Sequence, residues 1–262
     1  MLTHDNGVDG YVDAVPAADL EGKRVVLIGA SGGLGQILAT ALSKSGAAVA
    51  LVGRNSERLE ALAASLPGES TIYVGDIRTS AFNECVAQSA VSDLGGLDVW
   101  ISNAGISPVL ASVTEMDPEV WQEIIDTNLT GAFFGAQAAA RVMPRGGRII
   151  FTGSVLGERP RSGLSAYSAS KAGLVGVMKS LALDLGHRGI TVNLVAPGWF
   201  DSPLAAAWKA NAHLEKEVLD HTPMRRWGTN ADLPAVYLYL LSKAAAFITG
   251  VVIPVDGGYL LR

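Results

Sequence analysis

Short apolar runs rich in β-branched residues alternate along the chain with longer segments of helical periodicity. Most of the short runs are apolar at every position, which is typical of strands covered by helices on both faces of a parallel sheet. The alternation therefore predicts an α/β fold in which about seven parallel strands form one doubly wound sheet with helices on both faces. The predicted strands are Arg24–Ile28, Ala48–Val52, Thr71–Val74, Val99–Ser102, Arg148–Thr152, Thr191–Val195 and Val251–Val255.

The longer segments between the strands have the spacing of amphipathic helices. Three of them end at a glycine, namely Gly46, Gly95 and Gly186, which is the residue that helix C-termini favour. Asp117 is placed to cap a further helix, and Pro118 fits its first turn, where no N–H group is needed. The predicted helices are Leu34–Ser45, Glu57–Ser65, Thr79–Ser92, Pro118–Val142, Ala166–Leu185 and Asp232–Ser242.

Residues 201–228 break this alternation and are rich in Trp, His and Lys. They are predicted to form an insertion over the carboxyl end of the sheet, where open α/β sheets bind ligands. Because no internal repeat or low-complexity linker is present, residues 21–262 are expected to form a single domain. Residues 1–20 contain four aspartates and no Lys or Arg, and are expected to form a flexible acidic leader.

Composition and charge narrow the possible functions. The net charge is −5 and no cluster of Lys and Arg stands out, which argues against a nucleic-acid partner. Cys85 is the only cysteine, so neither an intrachain disulfide nor a thiolate zinc cluster can form, and the four histidines show no metal-ligand spacing. The apolar stretch 236–255 contains Lys243 and is better explained by a helix and a strand than by a membrane span. A cytoplasmic protein without a metal or a membrane partner is expected.

The first predicted strand runs into a glycine-rich turn, which a helix follows at once. Backbone N–H groups in such a turn, together with the positive end of the helix, can bind a pyrophosphate. No Lys-Ser or Lys-Thr pair follows, so a triphosphate-binding P-loop is excluded and a dinucleotide is favoured. The alternative is a turn that serves only the packing of helix on sheet. The residues predicted to bind the dinucleotide here are Gly29, Ser31, Gly32, Gly33, Leu34 and Gly35.

The second predicted strand is followed by Arg54 and Asn55, at the position that meets the adenosine ribose in such folds. An acidic residue there would bind a free 2′-hydroxyl, whereas the planar guanidinium of Arg54 can pair with a 2′-phosphate. NADP is therefore favoured over NAD. A solvated loop arginine is the alternative, and the loop lacks a second basic residue.

Tyr167 and Lys171 lie four residues apart at the start of a predicted helix and so share one of its faces. An ammonium about 4 Å from the phenol would attract the phenolate by about 4 kcal/mol. That attraction would lower the pKa of Tyr167 by roughly three and make it an acid/base near neutrality. An exposed Tyr–Lys helix pair without function is the alternative.

Ser154 and Asn128 complete the candidate chemistry. Ser154 ends the fifth predicted strand, where its hydroxyl can hold a substrate oxygen. Asn128 lies inside the long helix 118–142, where an amide is a poor helix former and indicates a local water-binding distortion. Ser154 could instead cap a turn, and Asn128 could be a satisfied core amide.

From about residue 20 onward the chain resembles the short-chain dehydrogenase/reductase family, in its branch of about 250 residues, which has a Rossmann-like fold. Gly29, Gly33 and Gly35 match the family's glycine loop, and Tyr167 with Lys171 matches its Tyr-xxx-Lys motif. The family's serine and asparagine match Ser154 and Asn128. The resemblance also implies cofactor contacts by Asp76, Ile77, Asn103, Ala104, Gly105, Tyr167, Lys171, Pro197, Gly198, Phe200 and Ser202.

The resemblance implies a reversible hydride transfer between NADP(H) or NAD(H) and a carbonyl or secondary alcohol. Ser154 and Tyr167 would contact the substrate, with Tyr167 as the proton donor. Lys171 would hold the ribose, and Asn128 would anchor a water relay to Lys171. The alternative is a binding protein that senses the nicotinamide dinucleotide without catalysis, which predicts damaged acid/base residues.

The substrate is expected to be a small molecule held by residues 106–113, 156–164 and 201–226. Arginines in these segments could hold a sugar acid, whereas their tryptophans could line a flat apolar ligand, and the sequence leaves both open. The C-terminal segment 251–258 resembles the family's subunit-packing strand and turn, which implies a homotetramer. The candidate pocket residues are Arg159, Arg161, Trp199, Leu204, Trp208, His213, His221 and Trp227.

Overall fold

The computed structural model describes residues 20–107, 109–202 and 205–262. Nearly all of the expected acidic leader, and Leu204 of the candidate pocket, lie outside these residues. Seven parallel strands form a single sheet in the order β3-β2-β1-β4-β5-β6-β7, which confirms the predicted sheet. The strands are β1 Arg24–Ile28, β2 Ala48–Gly53, β3 Ser70–Val74, β4 Val99–Ser102, β5 Arg148–Thr152, β6 Thr191–Pro197 and β7 Val252–Val255.

Nine α-helices lie in the described part of the chain, and together they cover both faces of the sheet. On one face, helices pack over Trp100 and Phe151, which are fully buried. On the other face they pack over Leu27 and Leu51, and Tyr237 of the last helix, Pro234–Leu241, is buried in the same cluster. Burying side chains of this size stabilises the fold by about 1.5–3 kcal/mol each. The helices are α1 Gly33–Lys44, α2 Ser56–Ser65, α3 Ser80–Asp93, α4 Pro118–Ile125, α5 Gly131–Val142, α6 Ser165–Leu185, α7 Ala206–Ala210, α8 Ala212–His221 and α9 Pro234–Leu241.

The predicted continuous helix 118–142 is interrupted by a π-helical turn at Asp126–Thr130, between α4 and α5. The end of the turn lies close to the segment that follows β3, since a Cβ on Gly131 would lie only 2.9 Å from the Ile77 carbonyl oxygen. The distortion predicted from Asn128 is therefore present, and the single helix of the prediction is corrected to two. Such π-turns occur often at functional sites.

Other boundaries differ from the prediction for local reasons. The helix predicted from Asp232 begins at Pro234, because the Asp232 carboxylate accepts hydrogen bonds from Thr229 and Arg226 instead. Within 201–228, Asn211 caps α8 by accepting from the N–H groups of two first-turn residues. None of the helices in the described ranges has the length and apolarity needed to cross a bilayer.

Candidate active site

A cleft of about 550 Å³ opens where β1 and β4 lie side by side, at the carboxyl ends of the strands. The chain order reverses at this point, since β2 and β3 lie on one side of β1 and β5 to β7 lie on the other side of β4. Open α/β sheets bind ligands at such switch points. All the residues predicted to bind the cofactor except Asn55 line this cleft, and so does Ser154.

The glycine turn after β1 combines tight packing with an open helix end. Gly29 has φ +77°, and a Cβ there would lie 2.7 Å from Ala104, while a Cβ on Gly35 would lie 2.1 Å from the Gly29 oxygen. Gly32 begins α1 without a side-chain cap, so the first N–H groups of the helix are available to a ligand in the cleft. The turn therefore serves helix–sheet packing, as the alternative reading held, and it also offers an anion site.

Charged side chains line the cleft where β2 and β3 end. Arg54 is exposed and lines the cleft. Asp76 pairs with Arg78 at 2.5 Å, and the hydrogen bonds from Arg78 hold the pKa of Asp76 below its usual value. Asn55, predicted to bind cofactor, does not line the cleft, because its side chain accepts the Arg58 N–H at 2.8 Å and caps α2. Of the predicted pair Arg54 and Asn55, only Arg54 lines the cleft, and its charge also contributes to the lowered pKa of Asp76.

The middle of the cleft is built from the segment after β4. Asn103 donates to the Gly29 carbonyl at 3.3 Å and so joins the two loops at the switch point. Its buried Oδ1 has no hydrogen-bond partner among the described residues. A buried acceptor without a partner is costly unless a ligand or water satisfies it. On the other side of the cleft, Gly198 is required by close approach, since a Cβ would lie 2.7 Å from the Asp256 backbone.

Ser154 and Tyr167 lie on one wall of the cleft. Ser154 follows β5, and its hydroxyl accepts the Leu156 N–H at 3.2 Å, so it also caps a turn as the alternative reading held. Tyr167 stands in the first turn of α6 and is only 8% exposed. Burial raises the pKa of Tyr167, and a hydrogen bond with Ser154 opposes that rise. The phenol therefore keeps its proton at neutral pH and faces a hydroxyl partner.

Lys171 lies beneath this pair and is 3% exposed. Its ammonium donates to the Thr152 carbonyl oxygen at 2.8 Å and lies 5.7 Å from the centre of the Tyr167 ring. Burial lowers the pKa of Lys171 to about 8. The expectation that Lys171 makes Tyr167 acidic is therefore wrong for this structure. The i, i+4 spacing brings the residues together, but it does not reveal that burial dominates both pKa values.

Asn128 is fully buried within the π-turn and does not itself line the cleft. Its Oδ1 accepts the Ile106 N–H at 2.8 Å, and its Nδ2 donates to the Ile106 oxygen at 2.9 Å and to Ser170 Oγ at 3.1 Å. The amide thus clamps the segment after β4 to helix α6, next to Lys171. This network fits the satisfied core amide of the alternative reading.

Several cleft residues were not predicted from the sequence. Thr127 precedes Asn128, and Thr152 ends β5 one residue before the segment Gly153-Ser154. Their positions beside predicted residues are the only signal that could have found them. Of the candidate pocket residues, Trp199 and Trp208 line the cleft, whereas the others in the described ranges do not, namely Arg159, Arg161, His213, His221 and Trp227.

The cleft suits a dinucleotide along its whole length. An uncapped helix end lies at the glycine turn, a guanidinium lies beyond it at the end of β2, and an unpartnered amide oxygen lies at the switch point. A serine, a tyrosine and a lysine meet at the far end. Groups of three or more residues suited to metal binding are not found in the part of the chain that the structure describes. The fold and the cleft define an α/β oxidoreductase of the nicotinamide-dependent class.

Comparison with known proteins specifies the class further. Residues 29–260 match the family model described as enoyl-(acyl carrier protein) reductase. Over 242 residues the chain is 36% identical to nodulation protein G of Rhizobium sp. (strain N33), covering 92% of this chain and 98% of the relative. Over 249 residues it is 34% identical to gluconate 5-dehydrogenase of Gluconobacter oxydans, covering 91% of this chain and 95% of the relative.

A solved structure of a short chain dehydrogenase from Burkholderia cenocepacia in complex with NADP is also similar. It has a TM-score of 0.86 and 32% identity, and the match covers 92% of this chain and 99% of the other. The chain belongs to the short-chain dehydrogenase/reductase family. The predicted family and reaction class are thereby confirmed: the protein is an NAD(P)-dependent oxidoreductase.

Proposed function

We propose that the enzyme transfers a hydride reversibly between NADP(H) and a carbonyl or secondary-alcohol substrate, with Tyr167 as the general acid/base. The observation that carries this proposal is the meeting of Ser154 and Tyr167 on the wall of the cleft, with the buried Lys171 ammonium 5.7 Å from the centre of the Tyr167 ring. Intact acid/base residues give no support to the alternative of a dinucleotide-sensing protein without catalysis.

The nicotinamide, when bound, supplies or accepts the hydride at its C4 carbon. In reduction a C–H bond forms at the carbonyl carbon, the C=O π electrons move to oxygen, and that oxygen takes the Tyr167 proton. The Ser154 hydroxyl holds the oxygen in place. Because burial raises the pKa of Tyr167, the phenol carries the proton that this step needs at neutral pH.

Lys171 and Asn128 position the reacting groups in this proposal. The Lys171 ammonium, held by the Thr152 carbonyl, is close enough to the cleft to bind a ribose hydroxyl and to replace the proton that Tyr167 gives up. Asn128 fixes the Ile106 backbone and thereby the segment that begins at Asn103. A water in the relay that the family resemblance implies would have to bind the Asn128 side chain in addition to these protein partners.

The cofactor preference for NADP rests on Arg54. Its side chain lines the cleft where β2 ends, and the similar enzyme from Burkholderia cenocepacia was solved with NADP. The Asp76 carboxylate also lines this part of the cleft, but its charge is neutralised by the ion pair with Arg78.

We expect Arg54→Gln to raise the KM for NADPH roughly 10-fold or more and to leave the KM for NADH within about twofold. Equal losses for both cofactors would contradict the assignment.

Two broader features also belong to the proposal. A cytoplasmic location is supported by the single cysteine, Cys85, since disulfide-bonded frameworks are typical of oxidising compartments. A homotetramer is supported by apolar side chains left exposed around β7, the edge strand of the sheet. The partner of the enzyme is a small-molecule substrate.

The test of the catalytic assignment is Tyr167→Phe with Tyr237→Phe as its control. Both changes remove a buried phenolic hydroxyl, but Tyr237 itself does not line the cleft, and its hydroxyl bonds to Thr152 Oγ1 at 2.7 Å and not to the Thr152 carbonyl that holds Lys171. Turnover should fall by roughly 100-fold or more in Tyr167→Phe, while the cofactor dissociation constant stays within about threefold. Tyr237→Phe should retain turnover. Comparable activity in the two variants, measured by NADPH absorbance, would refute the role of Tyr167.

A further inference from the structure

The catalytic end of the cleft is walled by apolar side chains. Beyond the Ser154–Tyr167 pair, the lining consists of aliphatic groups from the segments around β4 and β5 and of two indole rings. All of these side chains except Ile106 are at most 9% exposed. A pocket of this chemistry favours apolar substituents and offers few polar anchors. The residues are Ile106, Val155, Leu156, Leu164, Trp199 and Trp208.

The two indoles form a corner against which a flat group can pack. Trp199 and Trp208 lie 4.9 Å apart between ring centres at an angle of 54°. Behind Trp199, Trp227 packs edge-on at 5.9 Å, and Tyr259 also meets it edge-on at 6.3 Å. This second layer keeps Trp199 in place, so the corner is a fixed surface of the pocket. Aromatic substituents prefer such offset or edge-to-face contacts.

Arg161, one of the two arginines near the site, is committed to other protein groups. It pairs with Glu217 of α8 at 2.5 Å, and its guanidinium lies 4.7 Å from the centre of the Trp208 ring. It therefore supports the aromatic corner from outside the cleft, with its charge matched by a carboxylate. A substrate carboxylate would have to displace Glu217 to reach it.

Arg159 is committed in the same way. Its guanidinium donates to the Tyr259 carbonyl oxygen at 2.9 Å and lies 5.0 Å from the centre of that ring. Neither Arg159 nor Arg161 lines the cleft. The two arginines that the sequence offered as holders of a sugar acid are therefore bound to other protein groups and lie outside the cleft lining.

Few other charges remain for an anionic substrate. Among the described residues that line the cleft, only Arg54, Asp76 and Lys171 are charged, and the first two lie at the ends of β2 and β3. Lys171 lies beneath Tyr167 with its ammonium bonded to Thr152. A carboxylate placed against the tryptophans would thus lose its water and find no free counter-ion in the cleft lining, since the guanidinium of Arg161 beside the two rings is already paired with Glu217.

We infer that the enzyme acts on an uncharged ketone, or the matching secondary alcohol, whose larger substituent is a flat apolar ring that packs against Trp199 and Trp208. This inference rests on the proposed function and excludes sugar acids as preferred substrates. It therefore separates this enzyme from the substrate that the similar gluconate 5-dehydrogenase is named for.

The decisive comparison uses two compounds that differ mainly in charge, methyl 4-acetylbenzoate and 4-acetylbenzoate, with 5-ketogluconate as a third substrate. The wild-type enzyme is assayed with NADPH and NADH at pH 7. The kcat/KM for the ester should exceed that for either acid on the order of 100-fold or more. Equal or better use of 4-acetylbenzoate or 5-ketogluconate would overturn the inference and leave the hydride-transfer function intact.

Calorimetry on the enzyme loaded with NADP tests the substrate inference separately from the proposed hydride-transfer function. If none of the three compounds were reduced, the proposed function would be contradicted for them, but their dissociation constants would still report on the pocket. Tighter binding of the ester than of the acid, by roughly 100-fold, supports the inference. Equal binding, or tighter binding of the acid, overturns it whatever the turnover.

Two variants test the aromatic corner itself. Trp208→Ala removes a ring that lines the cleft, whereas Trp121→Ala removes an indole of α4 that is 37% exposed and lies outside the cleft lining and the aromatic corner. Trp208→Ala should raise the KM for the ester roughly 10-fold or more with kcat nearly unchanged, and Trp121→Ala should leave it within about threefold. Equal increases in both variants would overturn the contact with Trp208. The wild-type comparison does not depend on either variant folding.

Discussion

At the scale of single residues, Lys171 combines a functional position with an energetic cost. Its ammonium is almost fully buried and, within the described ranges, makes one hydrogen bond, from Nζ to the Thr152 carbonyl oxygen. Burial lowers its pKa from 10.5 to about 8 because water no longer stabilises the charged form. A fall of this size corresponds to roughly 3 kcal/mol of folding free energy spent on keeping the ammonium inside.

This cost predicts how stability depends on pH. Below pH 8 the lysine is protonated in both states, so the fold bears the full cost. Between pH 8 and 10.5 the unfolded chain still binds the proton that the folded chain has lost, so the wild-type free energy of unfolding rises with pH. Lys171→Met should therefore be inactive but more stable than the wild type below pH 8, and this advantage should shrink by up to roughly 3 kcal/mol towards pH 10.5.

Urea denaturation at several pH values measures this difference. Lys179→Met is the control, because Lys179 is an exposed residue of the same helix, and its stability should differ from the wild type by less than about 0.5 kcal/mol. A difference between Lys171→Met and the wild type that stays constant with pH would contradict the buried charge.

The residue scale also shows where sequence reasoning succeeds. Ser154, Tyr167 and Lys171 were found by their spacing, and the structure brings all three to the cleft. The sequence could not supply their pKa values, because burial of a helix face depends on the segments packed against it. Asn55 illustrates the same limit, since its side chain turned to the local Arg58 N–H instead of to the cleft.

At the scale of secondary-structure elements, the π-turn Asp126–Thr130 places a side chain that holds two neighbouring segments together, and we call this arrangement the clamp. The turn carries Asn128, whose three hydrogen bonds tie the Ile106 backbone and Ser170 together. The poor helix propensity of asparagine marked the distortion in the sequence. The contacts that it makes are with residues 22 and 42 positions away, so they could not be predicted from the sequence.

The clamp predicts a joint loss of stability and activity in Asn128→Leu. The Ile106 N–H and carbonyl would lose their partner, which should lower the free energy of unfolding by roughly 2–5 kcal/mol. The kcat/KM should fall because the segment from Asn103 to Ile106 is no longer fixed, and hydrogen exchange at Ile106 should accelerate.

Asn193→Leu is the matched control. Asn193 is also buried, donates to the Ile248 oxygen at 2.8 Å and accepts the Val251 N–H at 3.3 Å, but it does not line the cleft. It should lose similar stability and keep its kcat/KM. Unchanged stability in Asn128→Leu together with lost turnover would contradict the clamp and favour a role in proton relay alone.

At the scale of the whole molecule, the sheet follows from the sequence because parallel strands buried on both faces are apolar throughout. All seven strands match their predicted positions within one residue at the start and two at the end. The short helices α7 and α8 were not predicted individually, since their segment lacks a long periodic stretch. Trp208 of α7 forms one side of the aromatic corner, and Glu217 of α8 pairs with the Arg161 that lies over its ring. These contacts could be found only from the structure.

An apolar surface beside β7 gives the last prediction, which concerns assembly. Leu183 of α6 is 85% exposed, Phe247 is fully exposed and Val251 is 37% exposed. Gly250 lies against Ala182, so the segment before β7 adjoins the end of α6 that carries Leu183. Exposed apolar patches beside an unpaired sheet edge are expected to be covered by another chain.

If the proposed tetramer uses this surface, the double variant Leu183→Glu/Phe247→Glu should shift the enzyme to smaller species in light scattering, because each carboxylate would be buried in the interface without a partner. Val74→Glu is the control, since Val74 is 48% exposed on β3, at the opposite edge of the sheet, and should leave the assembly unchanged. A wild-type monomer would refute the tetramer itself. Equal dissociation of the double variant and Val74→Glu would contradict an interface at this surface, because Val74 lies at the opposite edge of the sheet from Leu183 and Phe247.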